Sequence, residues 1–444
     1  MTLHYEDAGL RLWHGPNMEI LPAFADASFD SIVTDPPYEL GFMGKGWDSS
    51  GIAYDVDVWR ECLRVLKPGG HLLAFGGSRT WHRMAVAIED AGFEMRDSIA
   101  WLYGSGFPKS MSVSKAIDAT LLHGGSNSRR IREANESRPG EGRIASALPQ
   151  NGIMGVAAEA RVSRDEPATD EAREWDGWGT ALKPAFEPIV VARKPFRGTV
   201  ATNVLRHGTG ALNIDATRTA MSDADRDAAR VPMRGASPAK VATPADRGAE
   251  YFEPAASGRW PTNVLLTHSP LLDEHGDIVG DACTDGCVPG CAVAVLDAQS
   301  GVLSSGVMRA GTRAQSSGGD IYGKRGEFVT SGATYGDSGG ASRFFPTFRY
   351  EAKAPTSERP NVEGTVHATV KPLALIRWLV RLVTRPGGRV VDLYAGSGTT
   401  GEAALLEGME VDLIELEEAH LPLILARVRK PLHPGLFGDW EDAS

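Results

Sequence analysis

Two blocks in which short apolar runs alternate with helix-patterned runs, one near each end of the chain, constrain this 444-residue sequence more than any other feature. In the first block, Leu10 to His14 and Ser31 to Asp35 read as strands, and Val56 to Leu66 has helical spacing that Lys67-Pro68-Gly69-Gly70 ends. His71 to Phe75 follows as a buried strand, Arg79 to Ala91 as a helix closed by Gly92, and Phe93 to Tyr103 as another strand. In the last block, Lys371 to Val383 places Leu373, Ile376, Leu379, Val380 and Val383 on one helical face, with Pro372 at a tolerated first-turn position. Arg389 to Tyr394 then reads as a strand, Thr399 to Leu406 as a helix stopped by Gly408, Glu410 to Leu416 as a strand and Glu417 to Arg429 as a final helix. Such alternation predicts an α/β fold built on a mostly parallel sheet covered on both faces.

Between the blocks the pattern fades. Residues 104 to 180 are rich in Ser, Arg and Gly, and only Glu187 to Ala192 reads as a further strand. From about 197 to 366 Gly, Ala, Ser and Thr dominate, in keeping with 51 Gly and 27 Pro in the whole chain, so long stretches of loop lie outside the core. Thr202-Asn203-Val204-Leu205 recurs as Thr262-Asn263-Val264-Leu265, which we read as two similar turns into strands. The balance of 46 Lys+Arg against 57 Asp+Glu, a formal charge of −11, argues against a histone-like coating protein. A nucleic-acid enzyme stays open, because binding depends on where positive charge sits. No apolar run approaches the roughly 20 residues that span a bilayer, and the opening residues lack a signal-peptide pattern. The expectation is an intracellular protein with no membrane partner.

Asp35-Pro36-Pro37-Tyr38 directly follows the apolar strand Ser31 to Thr34. Two prolines stiffen the backbone and leave carbonyls as acceptors, the aspartate adds an ionised acceptor and the tyrosine a flat face. Together they suit an exocyclic amino group, with two acceptors for its two N–H bonds and a ring for the base to stack on. Read without chemistry, the same residues are a strand-to-loop turn with a buried tyrosine. Val390 to Gly401 is a strand, a glycine-rich turn and a helix start, in which backbone approaches a nucleotide-like ligand closely. Gly396, Gly398 and Gly401 also satisfy the dinucleotide pattern, so a nicotinamide cofactor is a rival reading. Asp392 is placed to hold an ammonium group, and Glu415 ends the next strand, where a carboxylate can accept ribose hydroxyls.

These residues resemble the amino-methyltransferases of DNA, S-adenosylmethionine-dependent enzymes that methylate N6 of adenine or N4 of cytosine. The resemblance rests on Asp35 to Tyr38 as catalytic motif, Asp392 to Gly398 as cofactor loop, Glu415 as ribose carboxylate, and His367-Ala368-Thr369-Val370-Lys371-Pro372-Leu373 ahead of the cofactor strand. Catalytic motif before cofactor loop is the permuted β-type order. The resemblance implies a Rossmann-like sheet of seven strands, and Leu10, Ser31, His71, Phe93, Glu187, Arg389 and Glu410 begin seven candidates. It also implies a catalytic half over 1–196 with a loop insertion at about 104–180, a target-recognition region over 197–366, and a cofactor half over 367–444. Asp35, Pro36, Pro37 and Tyr38 are the implied catalytic residues; Lys371, Pro372, Asp392, Tyr394, Gly396, Ser397, Gly398, Thr399 and Glu415 are the implied cofactor residues.

An aryl amine is a poor nucleophile, so the site must favour the geometry that develops as the methyl group is attacked. Asp35 and the Pro37 carbonyl, accepting the two N–H bonds, would do that, with hydrogen bonding first and proton loss late. An aspartate before Pro-Pro-Tyr is commoner among the adenine enzymes of the family, so N6-adenine is the leading expectation and N4-cytosine its rival. A nicotinamide oxidoreductase leaves Asp35 to Tyr38 without purpose, and a non-catalytic DNA binder has no use for an amino cradle.

Two features point to the partner and to a metal. Cys283, Cys287 and Cys291 hold three of the four cysteines within nine positions, and with His268 upstream, or His275 in its place, they have the donor set of a structural zinc site; reduced, partly buried cysteines are the plain alternative. From 301 to 350, Arg309, Arg313, Lys324, Arg325, Arg343 and Arg349 oppose three acidic residues, with Tyr322, Tyr335, Phe344 and Phe345 interleaved, and Arg129, Arg130, Arg132, Arg138 and Arg143 form a second basic stretch. Both suit double-stranded DNA as partner. Trp175 and Trp178, with Lys183 to Pro188, are candidates to wall the base pocket.

Overall fold

The computed structural model describes residues 2–7, 9–40, 49–103, 110–124, 166–219, 231–233, 250–252, 258–272, 278–281, 283, 287–288, 291–304, 313–314, 328–329, 338–348, 362, 365, 367 and 370–429. Ten strands form its main sheet: β1 (Thr2–Asp7), β2 (Leu10–His14), β3 (Phe29–Thr34), β4 (Leu66–Phe75), β5 (Glu94–Leu102), β6 (Phe186–Arg193), β7 (Val264–Thr267), β8 (Thr347–Phe348), β9 (Arg389–Asp392) and β10 (Glu410–Glu415). They lie in the order β1-β2-β10-β9-β3-β4-β6-β5-β7-β8. All neighbours are parallel except the β1–β2 hairpin and the contacts of β6, which runs against both β4 and β5.

Every residue of β3 is buried, as a central strand covered on both faces requires. Successive residues feed opposite layers: Val33, Leu73 and Val390 join one cluster with Leu375, Ile376, Leu379 and Val383 of the Leu373–Val383 helix, while Ile32, Leu72 and Val391 join another with Val58, Trp59 and Cys62 of the Val56–Val65 helix. The stripe predicted for residues 371–383 is thus the buried one. Among the described residues no helix is long and apolar enough to cross a membrane.

The seven expected strands are present, and three more extend the sheet. β1 is mostly exposed and carries only a weak core pattern, Tyr5 alone packing on the core; it forms through a tight turn at Gly9, whose φ of +83° suits glycine. β7 and β8 come from the stretch read as irregular, and β7 pairs with β5 while Trp101 Nε1 donates to Thr267 Oγ1 at 2.7 Å. One expectation is overturned. Thr202 to Leu205 lies in a helix, Val200–His207, not at a turn into a strand: Thr199 caps it, and Asn203 is buried and donates to the carbonyls of Pro68 and Thr209 at 2.8 Å each. The second copy does lead into β7.

Parallel pairing aligns strand ends. Val391 of β9 pairs with Ile32 of β3, and Asp392 with Leu413 of β10, so Thr34, Asp392 and Glu415 end three adjacent strands at one carboxyl edge. In open α/β sheets that edge is where ligands bind.

Candidate active site

Asp35 leaves β3 at this edge and is held by a residue 336 positions away. Lys371 Nζ donates to Asp35 Oδ2 at 2.6 Å and lies 3.5 Å from Glu187 Oε2 at the start of β6. The same ammonium stands over the rings of Tyr38 and Phe75, at 5.2 and 5.0 Å from their centroids. Tyr38 donates its hydroxyl to Glu187 Oε2 at 2.7 Å, Tyr103 donates to Oε1 at 3.3 Å, and Thr80 Oγ1 donates to the Tyr38 carbonyl at 2.7 Å. Asp35 Oδ1 is buried and has no hydrogen-bond partner among the described residues. One carboxylate oxygen is therefore locked and the other is available, and a buried acceptor without a donor is costly unless something supplies one.

Burial pushes the Asp35 carboxyl above its ordinary value, against the pull of Lys371. For Lys371 burial works to lower the pKa, but the carboxylates of Asp35 and Glu187 prevail and hold it above the usual lysine range. Burial and the two carboxylates push the Tyr38 hydroxyl up, so it remains a donor to Glu187. Lys371 was expected among the cofactor residues; its ammonium meets Asp35, Tyr38 and Glu187. Glu187 was singled out only as a pocket wall, yet it joins Tyr38, Tyr103 and Lys371. A charged residue at the mouth of an otherwise apolar strand was the signal available for it.

The glycine turn sits beside this network. Thr34 Oγ1 donates to Asp392 Oδ1 at 2.7 Å, tying β3 to β9. Asp392 also accepts from the Tyr394 amide at 3.1 Å and bonds to Thr400, so its carboxylate closes the turn. Burial pushes its pKa up to about 6. Tyr394, partly buried, packs against the core cluster that holds Trp59 and Cys62. Gly396 has φ +55°, and a Cβ there would meet His367 Nε2 at 3.0 Å; Gly398 has φ +80° and packs against Ile424 of the Leu421–Val428 helix. The Gly396 amide donates to Glu415 Oε2 at 2.7 Å, while Oε1 accepts from the Glu417 amide at 2.9 Å and lies 3.2 Å from His420 Nδ1. Ser397 and Thr399 are buried with their hydroxyls 3.2 Å apart, and Pro372 caps the Leu373–Val383 helix.

Other expected residues fall elsewhere. Trp175 and Trp178 stack edge-to-face at 5.2 Å on the surface, 43% and 60% exposed. Arg343 donates to the carbonyls of Gly339, Gly340 and Leu303 and stacks on Phe344, so it braces its own loop. Arg129, Arg130, Arg132, Arg138, Arg143, His275, Arg309, Tyr322, Lys324, Arg325, Tyr335 and Arg349 lie outside the described residues. His268, just past β7, is brought to Cys283, Cys287 and Cys291, with the four potential ligand atoms within 4.8 Å of one another.

Comparison with known proteins decides the family. The N6/N4 DNA methylase family model matches residues 29–426, nearly the whole chain. The chain belongs to this DNA methylase family. Among its relatives are the type II methyltransferase M.HindIII of Haemophilus influenzae, 26% identical over 162 residues (36% of this chain and 38% of that protein), and M.HpaI of Haemophilus parainfluenzae, 31% identical over 111 residues (24% and 35%). The match thus spans little more than a third of the length of these relatives. Of solved structures, the cytosine-N4-specific PvuII DNA methyltransferase shares 13% identity (97% of this chain, 89% of that one; TM-score 0.40), and the M1.HpyAVI complex with SAM shares 12% (95% and 100%; TM-score 0.37).

Proposed function

We propose that this DNA methylase transfers a methyl group from S-adenosylmethionine to the exocyclic N6 of an adenine flipped out of double-stranded DNA. One observation carries the reading: Asp35, a half-buried carboxylate with one oxygen locked by Lys371 and the other available, leaves the strand next to β9, whose glycine turn is bonded to Glu415, the buried residue that ends β10.

The residues fit the cofactor. A carboxylate offers about four acceptor positions, and Glu415 has the Gly396 and Glu417 amides and His420 around it, leaving room for a ribose hydroxyl on the side of partly exposed His420. The missing side chain at Gly396 keeps the backbone open beside His367. When bound, the cofactor supplies an electrophilic methyl group on sulfur. Gly396, Gly398 and Glu415 would hold it, with Asp392 shaping the turn from behind.

The chain's own groups then prepare the amine. Asp35 Oδ1 accepts one N–H of the exocyclic amino group, and the diproline carbonyls are the acceptors for the other. Those bonds draw the nitrogen toward tetrahedral geometry and free its lone pair. Lys371 keeps the carboxylate ionised and its rotamer fixed, while Glu187 fixes the Tyr38 ring through its hydroxyl. A base stacked near that ring offsets part of the few kcal/mol that unstacking costs. The proton shed from the alkylated nitrogen passes to Asp35 and on to solvent.

Asp35→Ala is expected to retain cofactor binding and to lose turnover by roughly 100-fold or more. Nucleoside mass spectrometry of treated DNA identifies the base: N6-methyladenine supports the reading, and N4-methylcytosine in its place replaces adenine by cytosine as the substrate of the same cradle.

A further inference from the structure

His268, Cys283, Cys287 and Cys291 take no part in the site above, yet they converge. His268 Nδ1 lies 3.4 Å from Cys287 Sγ and 3.6 Å from Cys291 Sγ, and all four donor atoms lie within 4.8 Å of one another. Zinc–sulfur and zinc–nitrogen bonds of about 2.3 and 2.0–2.1 Å at a tetrahedral angle place N and S ligands about 3.6 Å apart and two S ligands about 3.8 Å apart. The two histidine–cysteine distances match that spacing, and no separation within the cluster exceeds it by more than about 1 Å. None of the cysteines is in a disulfide.

Cys291 precedes the Ala292–Ser300 helix, and its sulfur is hydrogen-bonded by backbone groups of Ala294, Ser269 and Val293. The core here is small: among the described residues it has three buried members, Leu266, Cys291 and Val293, with a few partly buried side chains packed on them. A segment with so small a core gains its stability from a staple.

We propose that His268 Nδ1 and the Sγ atoms of Cys283, Cys287 and Cys291 bind one zinc ion in a closed, structural site. Four protein ligands leave no open coordination position, which assigns the ion to architecture rather than to chemistry. The cysteines bind as thiolates, their protons passing to solvent. What the ion joins follows from the topology. His268 leaves β7, and its amide donates to the Phe348 carbonyl of β8 at 3.1 Å; Cys291 begins the helix that packs Val293 on Leu266. β7 in turn lies beside β5, which runs into Tyr103, a donor to Glu187. The zinc therefore clamps the end of the sheet that flanks the candidate active site. The proposal is independent of the methyl-transfer reading.

The test is metal analysis of the full chain. Purified protein, dialysed free of loose metal, should contain one zinc per chain, and Cys287→Ser and Cys291→Ser should each retain a small fraction of that. Replacing zinc by cobalt should give the intense visible bands of tetrahedral cobalt and thiolate-to-cobalt charge transfer, both absent in Cys287→Ser. Cofactor binding in Cys287→Ser should persist. Wild-type protein that holds no zinc and gives no thiolate–cobalt spectrum on titration overturns the proposal, as does zinc content unchanged in both variants; the wild-type measurement stands even where a variant fails to fold.

Discussion

Replacing Lys371 by methionine separates two roles for this residue, partner of Asp35 or ligand of the cofactor. Methionine preserves length and apolar packing against the Tyr38 and Phe75 rings while removing the charge 2.6 Å from Asp35 Oδ2. An opposite charge at such range lowers a carboxyl pKa by about 1–3 units. Burial already pushes Asp35 up, so losing Lys371 removes the largest pull against that push. The acid limb of kcat/KM should therefore move to higher pH by about 1–3 units, equivalent to about 1.4–4 kcal/mol at 1.36 kcal/mol per unit. Protonation removes Asp35 as an acceptor, so activity falls near neutrality and recovers in part at alkaline pH. Stability responds too. With a folded-state pKa above its unfolded value, the unpaired Asp35 favours folding at low pH and loses that contribution as pH rises through the folded value. The variant's melting temperature should then drop with rising pH more steeply than that of the wild type. The assay is transfer of radiolabelled methyl to DNA across the neutral and alkaline range, with cofactor affinity measured by calorimetry. An unmoved acid limb together with collapsed cofactor affinity would refute the reasoning and return Lys371 to the cofactor.

Asp392→Asn should stabilise the protein at neutral pH: a carboxyl raised from 3.8 to about 6 opposes folding by about 3 kcal/mol once ionised. The amide oxygen still accepts from Thr34 and Tyr394, so thermal melts should show a gain above pH 7 that shrinks on acidification and vanishes only below the unfolded value of 3.8. Gly396→Ala forces a side chain into a left-handed conformation and against His367, which should cost about 1–2 kcal/mol of stability and weaken cofactor binding by calorimetry. Glu187→Gln keeps a hydrogen-bond acceptor for Tyr38 but removes a charge near Lys371, so turnover should fall less than in Asp35→Ala while cofactor affinity holds.

Most of the sheet was legible because its strands and helices carry local periodicities. The buried stripe of residues 373–383 and the strand–turn–helix at 389–406 are examples. β1 was not, since its six mostly exposed residues, with Leu3 and Tyr5 among polar ones, have too little apolar pattern to distinguish strand from loop. β7 and β8 were short runs in a glycine-rich background, and their pairing with β5 and with each other is non-local. The helix at 200–207 was misread for a related reason. Its identity depends on Asn203 reaching Pro68 and Thr209, contacts no neighbouring residue announces.

By itself the sequence determined the chemistry available: a carboxylate on a diproline turn, a glycine turn before a helix, an acid at the end of the following strand and a cluster of thiols. Residue type and local spacing are written into the chain, so those inferences needed no coordinates. Which groups meet was decided by strand order. Only when β9 inserts between β3 and β10 does Thr34 reach Asp392, and only when the chain returns after more than 300 residues does Lys371 find Asp35. Strand order arises from packing two apolar layers against one sheet, a property of the whole chain that no short window of it contains.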